Sequence, residues 1–142
     1  MWDTAGPLRF ATLFLGLLDP ATGRLSYVNA GHLPPLILRA AGGQEPVPAT
    51  GPPAGLLEDV DYGVGEVTLA PGDLLVVYSD GIPEAWNADD EDYGTARLEE
   101  LLRRERLQPA PRIADCLAAD MDAFLGGLPP PDDVTLLLLR RC

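Results

Sequence analysis

Two acidic turns, each beside a strongly apolar run, are the part of this sequence best suited to chemistry. Asp80 follows the apolar residues 74–77, and the pair Asp132 and Asp133 precedes the apolar residues 136–139. The runs predict buried strands, so carboxylates are expected at both strand ends. Hard divalent cations such as Mg²⁺ and Mn²⁺ prefer oxygen ligands that are held with little freedom. The pattern therefore predicts a metal site and metal-assisted phosphate chemistry.

The composition limits the classes of partner that the chain can bind. Its 142 residues suit one domain, 1–142, and 46% of them are hydrophobic, which is enough for a packed core. The formal net charge of -12 argues against a nucleic-acid partner, because a phosphate backbone requires a basic face. Phosphate as a substrate remains compatible with this charge, since bound metal ions supply the positive charge.

Neither a membrane anchor nor a cysteine framework is predicted. The apolar stretch 10–18 ends at Asp19 and is far shorter than the roughly 20 residues that cross a bilayer. No basic region precedes an apolar stretch at the N-terminus, so no signal peptide is expected. The cysteines, Cys116 and Cys142, fit neither a disulfide scaffold nor a C-x-x-C metal site. We expect a cytoplasmic protein without a membrane partner.

The elements that must position the acidic turns are strands first and helices later. Hydrophobic patterning predicts two hairpins, a third short strand, a Pro-rich surface loop, two amphipathic helices and a last strand buried on both faces. The hairpins are residues 10–18 with 24–29 and 64–69 with 74–78. The third strand is 35–39, the loop 42–53, and the helices are 95–106 and 112–124. The last strand is 134–139. The second hairpin would deliver Asp80.

Several motifs in a fixed order carry a resemblance to a known family. They are Phe10-Ala11-Thr12-Leu13-Phe14, Tyr27-Val28-Asn29-Ala30-Gly31-His32, Pro71-Gly72-Asp73-Leu74, Tyr78-Ser79-Asp80-Gly81-Ile82-Pro83-Glu84-Ala85 and Asp132-Asp133-Val134-Thr135. This order resembles the PPM-type metal-dependent serine/threonine phosphatases. It is most similar to the bacterial branch that includes the sporulation stage II E phosphatase and the sigma-factor regulator phosphatases.

The resemblance implies an α+β fold, part of an α-β-β-α layered sandwich of antiparallel sheets flanked by helices. It also implies two Mn²⁺ or Mg²⁺ ions and a metal-activated water that hydrolyses a phosphoserine or phosphothreonine. Asp80 and Asp132 resemble metal ligands of the family, and Asp133 is their neighbour. The implied partner is a phosphoprotein substrate, such as an anti-sigma-factor antagonist, in a bacterial signalling pathway.

The chain also departs from the family pattern. Complete members carry an earlier segment that supplies a bridging aspartate and a glycine carbonyl to the metals, and residues 1–9 cannot do so. We therefore expect an N-terminally truncated domain, its C-terminal portion. An incomplete fold would leave a sheet edge or an apolar face exposed, which predicts a homodimer or poor solubility.

Each singled-out residue also has a structural interpretation. Asp-Gly is a common turn pair, and Asp132 with Asp133 could be a loop start or a cap before a strand. His32 is expected to be a hydrogen-bonded turn residue. Glu84 is expected to be a surface carboxylate and Trp86 a packed side chain. Residues 89–92 are expected to form a solvated loop. Two other functions stay open: a catalytically incomplete phosphatase-like regulatory or binding module, and an unrelated β-rich ligand-binding domain.

Overall fold

The computed structural model describes residues 9–142, which form seven strands and two helices. In chain order these are β1 (Leu13–Leu18), β2 (Arg24–Ala30), β3 (Leu36–Leu38), β4 (Gln44–Pro46), β5 (Gly65–Thr68), β6 (Leu74–Tyr78), α1 (Thr95–Glu105), α2 (Ala110–Leu125) and β7 (Leu136–Arg140). The predicted α+β class is confirmed. The described chain divides into two compact units. The first consists of the described residues up to Pro34 together with Pro48–Thr68, and the second of Pro35–Val47 together with Leu69–Cys142.

The first unit is built on a three-stranded antiparallel sheet with the order β1-β2-β5. Its first two strands form the predicted hairpin, in which Leu15 pairs with Val28. The turn closes because the Asp19 N–H donates to the Arg24 carbonyl at 2.8 Å and Gly23 takes a φ of 77°, which glycine adopts without steric cost. The hairpin follows directly from this turn chemistry.

The two faces of that sheet differ in burial. Tyr27 and Leu25 are buried on one face. On the opposite face Leu13, Leu15 and Leu17 are 50%, 63% and 77% exposed. Side chains alternate across a strand, so these three leucines form one apolar stripe along β1, an edge strand of its sheet. We call Leu13, Leu15 and Leu17 the β1 stripe.

The second unit contains a four-stranded antiparallel sheet with the order β4-β3-β6-β7. The central strand β6 pairs with β3 on one side and with β7 on the other. Beside the sheet, the buried carboxylate of Asp73 accepts hydrogen bonds from Arg39 Nη1 at 2.6 Å and from the N–H of Ala40 and Ala70 at 2.9 Å each. Asp73 thereby ties the turn before β6 to the end of β3.

The helices of the second unit match their predicted positions closely. In α1 the buried side chains are Leu98, Leu101 and Leu102, the apolar face that the helical spacing predicts. The α2 helix begins after Pro109 and ends at Gly126, whose φ of 61° is a left-handed helix cap. Neither helix of residues 9–142 is long and apolar enough to span a bilayer.

Three predictions about the strands are wrong. The strands β5 and β6 form no hairpin, because β5 pairs with β2 and β6 with β3 and β7. Residues 42–53 are not entirely loop, since they contain β4, whose Glu45 pairs with Ile37. The last strand is not buried on both faces: β7 lies at the edge of its sheet and Leu137 is exposed. Sheet neighbours, which local hydrophobicity does not encode, decided all three.

Candidate functional site

The two acidic turns lie side by side in the second unit, joined through Ser79. The Ser79 N–H donates to the Thr135 carbonyl at 3.0 Å, and the Thr135 N–H donates to Ser79 Oγ at 2.9 Å. Ser79 Oγ in turn donates to the Asp133 carbonyl at 3.1 Å. The contact continues the β6–β7 ladder beyond its last pair, Tyr78 with Leu136. Pairing of the two strands therefore brings the two turns together.

A glycine makes this close approach sterically feasible. Gly81 is buried, and a Cβ atom built on it would lie 2.2 Å from the Asp133 carbonyl oxygen and 3.0 Å from the carbonyl carbon. No side chain fits at those distances without moving one of the turns. Gly81 is therefore required here for backbone approach rather than for a special φ.

The three predicted metal ligands, Asp80, Asp132 and Asp133, are all exposed at this end of β6 and β7. One oxygen of Asp132 is engaged, because its Oδ1 accepts the Asp133 N–H at 2.7 Å. Carboxylates suit a hard divalent cation. Residues 9–142 nevertheless contain no group of three or more His, Cys, Asp or Glu side chains placed to hold a metal. The donor chemistry fits a metal, whereas the set of ligands in this part of the chain is incomplete.

His32 agrees with its structural interpretation. It lies in the first unit, where its N–H donates to Asn29 Oδ1 at 2.9 Å and its Nδ1 donates to the Leu33 carbonyl at 2.7 Å. The hydrogen bond to a carbonyl requires the proton on Nδ1. His32 is thus a hydrogen-bonded turn residue, as predicted.

The segment after the Asp80 turn differs from expectation at one residue. Glu84 and the run 89–92 are exposed, as predicted. Trp86, predicted to pack, is 53% exposed instead. The neighbouring Asn87 closes the loop, since its Oδ1 accepts the N–H groups of Asp89 and Glu91. The loop is held by polar contacts that leave the indole at the surface.

Sequence reasoning missed a cluster that ties this segment to both helices. The Tyr93 hydroxyl donates to Asp120 Oδ2 at 2.6 Å, and Arg97 Nε donates to the same oxygen at 2.9 Å. The Arg97 guanidinium lies over the rings of Tyr93 and Phe124, at 5.2 and 4.9 Å from their centroids. We call Tyr93, Arg97, Asp120 and Phe124 the helix clamp. Its members come from a loop and two helices, so no local spacing announces it.

Burial, hydrogen bonding and charge in the helix clamp shift the pKa values of Tyr93 and Asp120 in opposite directions. Burial and then the hydrogen bond to Asp120 raise the pKa of Tyr93 far above its usual value. The Arg97 hydrogen bond lowers the pKa of Asp120. At neutral pH the tyrosine is therefore a neutral donor and the aspartate a charged acceptor.

Comparison of the sequence with known proteins identifies a phosphatase family. The family model of Stage II sporulation protein E (SpoIIE) matches residues 2–142. Protein IcfG of Synechocystis sp. is 33% identical over 132 residues, which are 93% of this chain and 21% of IcfG. Phosphoserine phosphatase RsbP of Bacillus subtilis is 37% identical over 65 residues, 46% of this chain and 16% of RsbP.

A solved structure shows the same likeness in three dimensions. The SiaA-PP2C domain of Pseudomonas aeruginosa superposes with a TM-score of 0.78 at 25% identity, covering 91% of this chain and 51% of that one. The chain thus spans about half of this solved domain and about a fifth of IcfG. An unrelated β-rich ligand-binding domain is excluded for two reasons. The two acidic turns meet in the structure, and one family model matches residues 2–142. The chain belongs to the SpoIIE family, a branch of the PPM-type (PP2C) serine/threonine phosphatases.

Proposed function

We propose that this chain acts, alone or as part of a larger protein, as a metal-dependent phosphoprotein serine/threonine phosphatase. One observation carries the proposal: Ser79 joins the two acidic turns, so that Asp80, Asp132 and Asp133 share one end of the β6–β7 pair. Carboxylates at one end of a strand pair suit cations better than a bare phosphate. The name of RsbP, a phosphoserine phosphatase, supports the same reaction class.

Manganese or magnesium is the metal that we propose, with two ions in the complete site. A SpoIIE phosphatase domain presoaked with Mn and RsbX in complex with magnesium share the fold, at 23% and 14% identity. Asp80 and Asp132 would hold metal, with Asp133 beside them. The bound ions would lower the pKa of a water nucleophile and stabilise phosphoryl oxygens.

The substrate that we propose is a phosphoprotein of a bacterial signalling pathway, for example an anti-sigma-factor antagonist. A cytoplasmic location is part of this proposal. So is the organisation of 1–142 as one phosphatase domain, which the continuous family match over residues 2–142 supports. The acidic surface of the chain suits a protein substrate that carries basic residues near its phosphate.

Hydrolysis of an aryl phosphate and of a phosphothreonine peptide, with and without Mn²⁺, tests the proposal. We expect turnover that requires Mn²⁺ and is lost in Asp80→Asn, which keeps the shape of the side chain and removes its charge. The matched control is Asp115→Asn, since Asp115 is an exposed aspartate on α2. Equal activity of the two variants would contradict the role of Asp80.

Metal binding has a second readout that needs no turnover. A ligand that binds only the folded state stabilises that state by mass action. We expect Mn²⁺ to raise the Tm of the wild-type chain more than that of Asp80→Asn. An equal rise in both would argue against a site at Asp80.

A homodimer is the partner arrangement that we propose for this chain in isolation. The β1 stripe exposes three leucines on an edge strand, and such strands promote pairing with another chain. Light scattering across a concentration series should show a dimer. A monomer at every concentration would contradict it.

The incomplete ligand set favours a second candidate function, a catalytically incomplete regulatory or binding module. It predicts no turnover with any phosphoester and weak Mn²⁺ binding by a folded chain. The assay above separates the two candidates, because only the first predicts activity that disappears with Asp80→Asn.

A further inference from the structure

We infer that the helix clamp is a positioning device that holds the Asp80 turn in place, with Tyr93 as its central residue. The effect of the helix clamp on metal binding rests on the proposed function. Its effect on the position of the Asp80 turn rests on geometry alone. The clamp is separate from the acidic turns, and none of its four residues is proposed as a metal ligand.

Backbone hydrogen bonds connect Asp80 to the segment before Tyr93. The Glu84 N–H donates to the Asp80 carbonyl at 2.9 Å, and the Ala85 N–H donates to the Ile82 carbonyl at 3.3 Å. Ile82 and Ala85 are fully buried. Asp80 therefore begins a short run of turns, residues 80–85. Its apolar side chains are buried, and the Asp80 carbonyl accepts a hydrogen bond from within it.

The end of the loop, residues 93–94, then closes on this segment. The Tyr93 N–H donates to the Ala85 carbonyl at 2.7 Å, and the Gly94 N–H donates to the Pro83 carbonyl at 2.9 Å. Residues 86–92 between these contacts are mostly exposed, so they add little buried apolar surface. The hydrogen bond from Tyr93 is therefore one of the contacts that fix the segment, beside the packing of Ile82 and Ala85.

Tyr93 is held by both helices. Its side chain is 3% exposed, its ring meets Phe124 edge to face at 5.4 Å, and its hydroxyl donates to Asp120. Arg97 completes the arrangement by pairing with Asp120 across the helices. A buried hydroxyl bound to a charged acceptor is a strong hydrogen bond, whereas the half-exposed ion pair alone is weak. The hydroxyl of Tyr93 is thus the contact that matters most.

A continuous path of contacts therefore runs from α1 and α2 through Tyr93 and the segment 82–85 to the backbone of Asp80. Metal ligands must be placed accurately, and groups behind the ligands usually provide that accuracy. A change that shifts α1 or α2 would reach Asp80 along this path.

Amide hydrogen exchange tests the inference in the full chain. In Tyr93→Phe, which removes one oxygen and keeps the ring, we expect the Glu84 amide to exchange about fivefold faster, since this amide reports the bond to Asp80. The Val76 amide in β6 should be unchanged. Tyr27→Phe is the matched control, because Tyr27 is an equally buried tyrosine in the first unit. It should alter neither amide.

Two further variants separate positioning from a general loss of stability. Asp120→Ala removes the acceptor and should reproduce the faster Glu84 exchange, whereas Asp120→Asn keeps an acceptor and should largely restore protection. With Mn²⁺ as the probe, Tyr93→Phe should raise the Kd about threefold, and Tyr27→Phe should leave it unchanged.

Unchanged Glu84 exchange in both Tyr93→Phe and Asp120→Ala would overturn the inference. So would faster exchange that appears equally at Val76, because that is global destabilisation. If the wild-type chain binds no Mn²⁺, the proposed function fails, while the exchange measurements still decide whether the clamp holds the Asp80 turn.

Discussion

The strands β1 and β6 are almost equally apolar, yet they have different environments. The central strand β6 lies between β3 and β7 and buries Leu74, Leu75 and Val76. In the first unit β1 has one sheet neighbour, and Leu17 is 77% exposed. Hydrophobicity alone therefore does not tell whether a strand stabilises a core or presents a surface.

The difference has a consequence for function. The acidic turns lie at one end of the β6–β7 pair, so the candidate site adjoins the buried central strand β6. The β1 stripe rests on an edge, where apolar residues gain stabilisation only if another surface covers them. We therefore propose that β6 supports the candidate site and that β1 offers a surface for a partner.

Truncation of one leucine in each strand gives the largest expected contrast. Leu74→Ala should lower the free energy of unfolding by about 3 kcal/mol, because it removes a fully buried side chain. Leu17→Ala should cost less than about 0.5 kcal/mol, since the side chain is exposed. Urea denaturation followed by circular dichroism measures both. A large cost for Leu17→Ala would mean that the β1 stripe is covered in solution.

Removal of the buried charge beside β6 should have the next largest effect. Burial by itself would raise the pKa of Asp73, but the Ala40 N–H and Arg39 outweigh it and hold the pKa below its ordinary value. Asp73→Asn should therefore destabilise the chain by about 2 kcal/mol at neutral pH.

The pH dependence of this effect has a definite sign. A carboxylate with a lowered folded-state pKa stabilises the protein above the unfolded-state value of about 3.9, and this contribution is lost as the pH falls through the folded-state pKa. The difference in stability between wild type and Asp73→Asn should therefore shrink below about pH 4. A difference that grows in acid would contradict this account of Asp73.

Addition of a methyl group where the acidic turns meet should have a smaller effect on stability. Gly81→Ala places a Cβ against the Asp133 carbonyl and should cost about 1.5 kcal/mol, while weakening Mn²⁺ binding. Gly63→Ala is a suitable control, because a Cβ there would lie 3.4 Å from its nearest neighbour, the Thr50 carbonyl oxygen. Calorimetric titration and thermal unfolding give the two readouts. Identical behaviour of the two variants would show that the turns need no close approach.

A charge on the β1 stripe should have the smallest effect on folding. Leu15→Glu should change the free energy of unfolding of the monomer by less than about 0.5 kcal/mol, because Leu15 is exposed. It should weaken self-association clearly in sedimentation velocity, since a charge would be desolvated in a dimer. Unaltered association would place the dimer interface elsewhere.

Local patterns predicted a large part of the fold. The hairpin of β1 and β2, both helices and the presence of β3, β5, β6 and β7 follow from periodicity and turn residues near one another in sequence. The false hairpin of β5 and β6 shows the limit. Two apolar strands joined by a Pro-Gly-Asp turn look like a hairpin, and only long-range pairing sends them to different sheets.

The candidate site divides in the same way. Asp80, Asp132 and Asp133 could be selected from sequence, because acidic turns beside apolar runs are visible locally. The bridging role of Ser79 and the helix clamp could not, since each joins residues far apart in sequence. Trp86 was misjudged because an aromatic residue usually packs, whereas here the polar contacts of Asn87 shape the loop.

Sequence by itself determined the elements other than β4, their approximate ends, the charge and the motifs of the family, because propensities and turn chemistry act over a few residues. The tertiary structure decided which strands became neighbours, which apolar face stayed exposed, and that the turns at Asp80 and Asp133 meet at Gly81. Those outcomes depend on hydrogen bonds and packing between segments that are far apart in sequence. Such contacts form, and stabilise the protein, only in the folded chain.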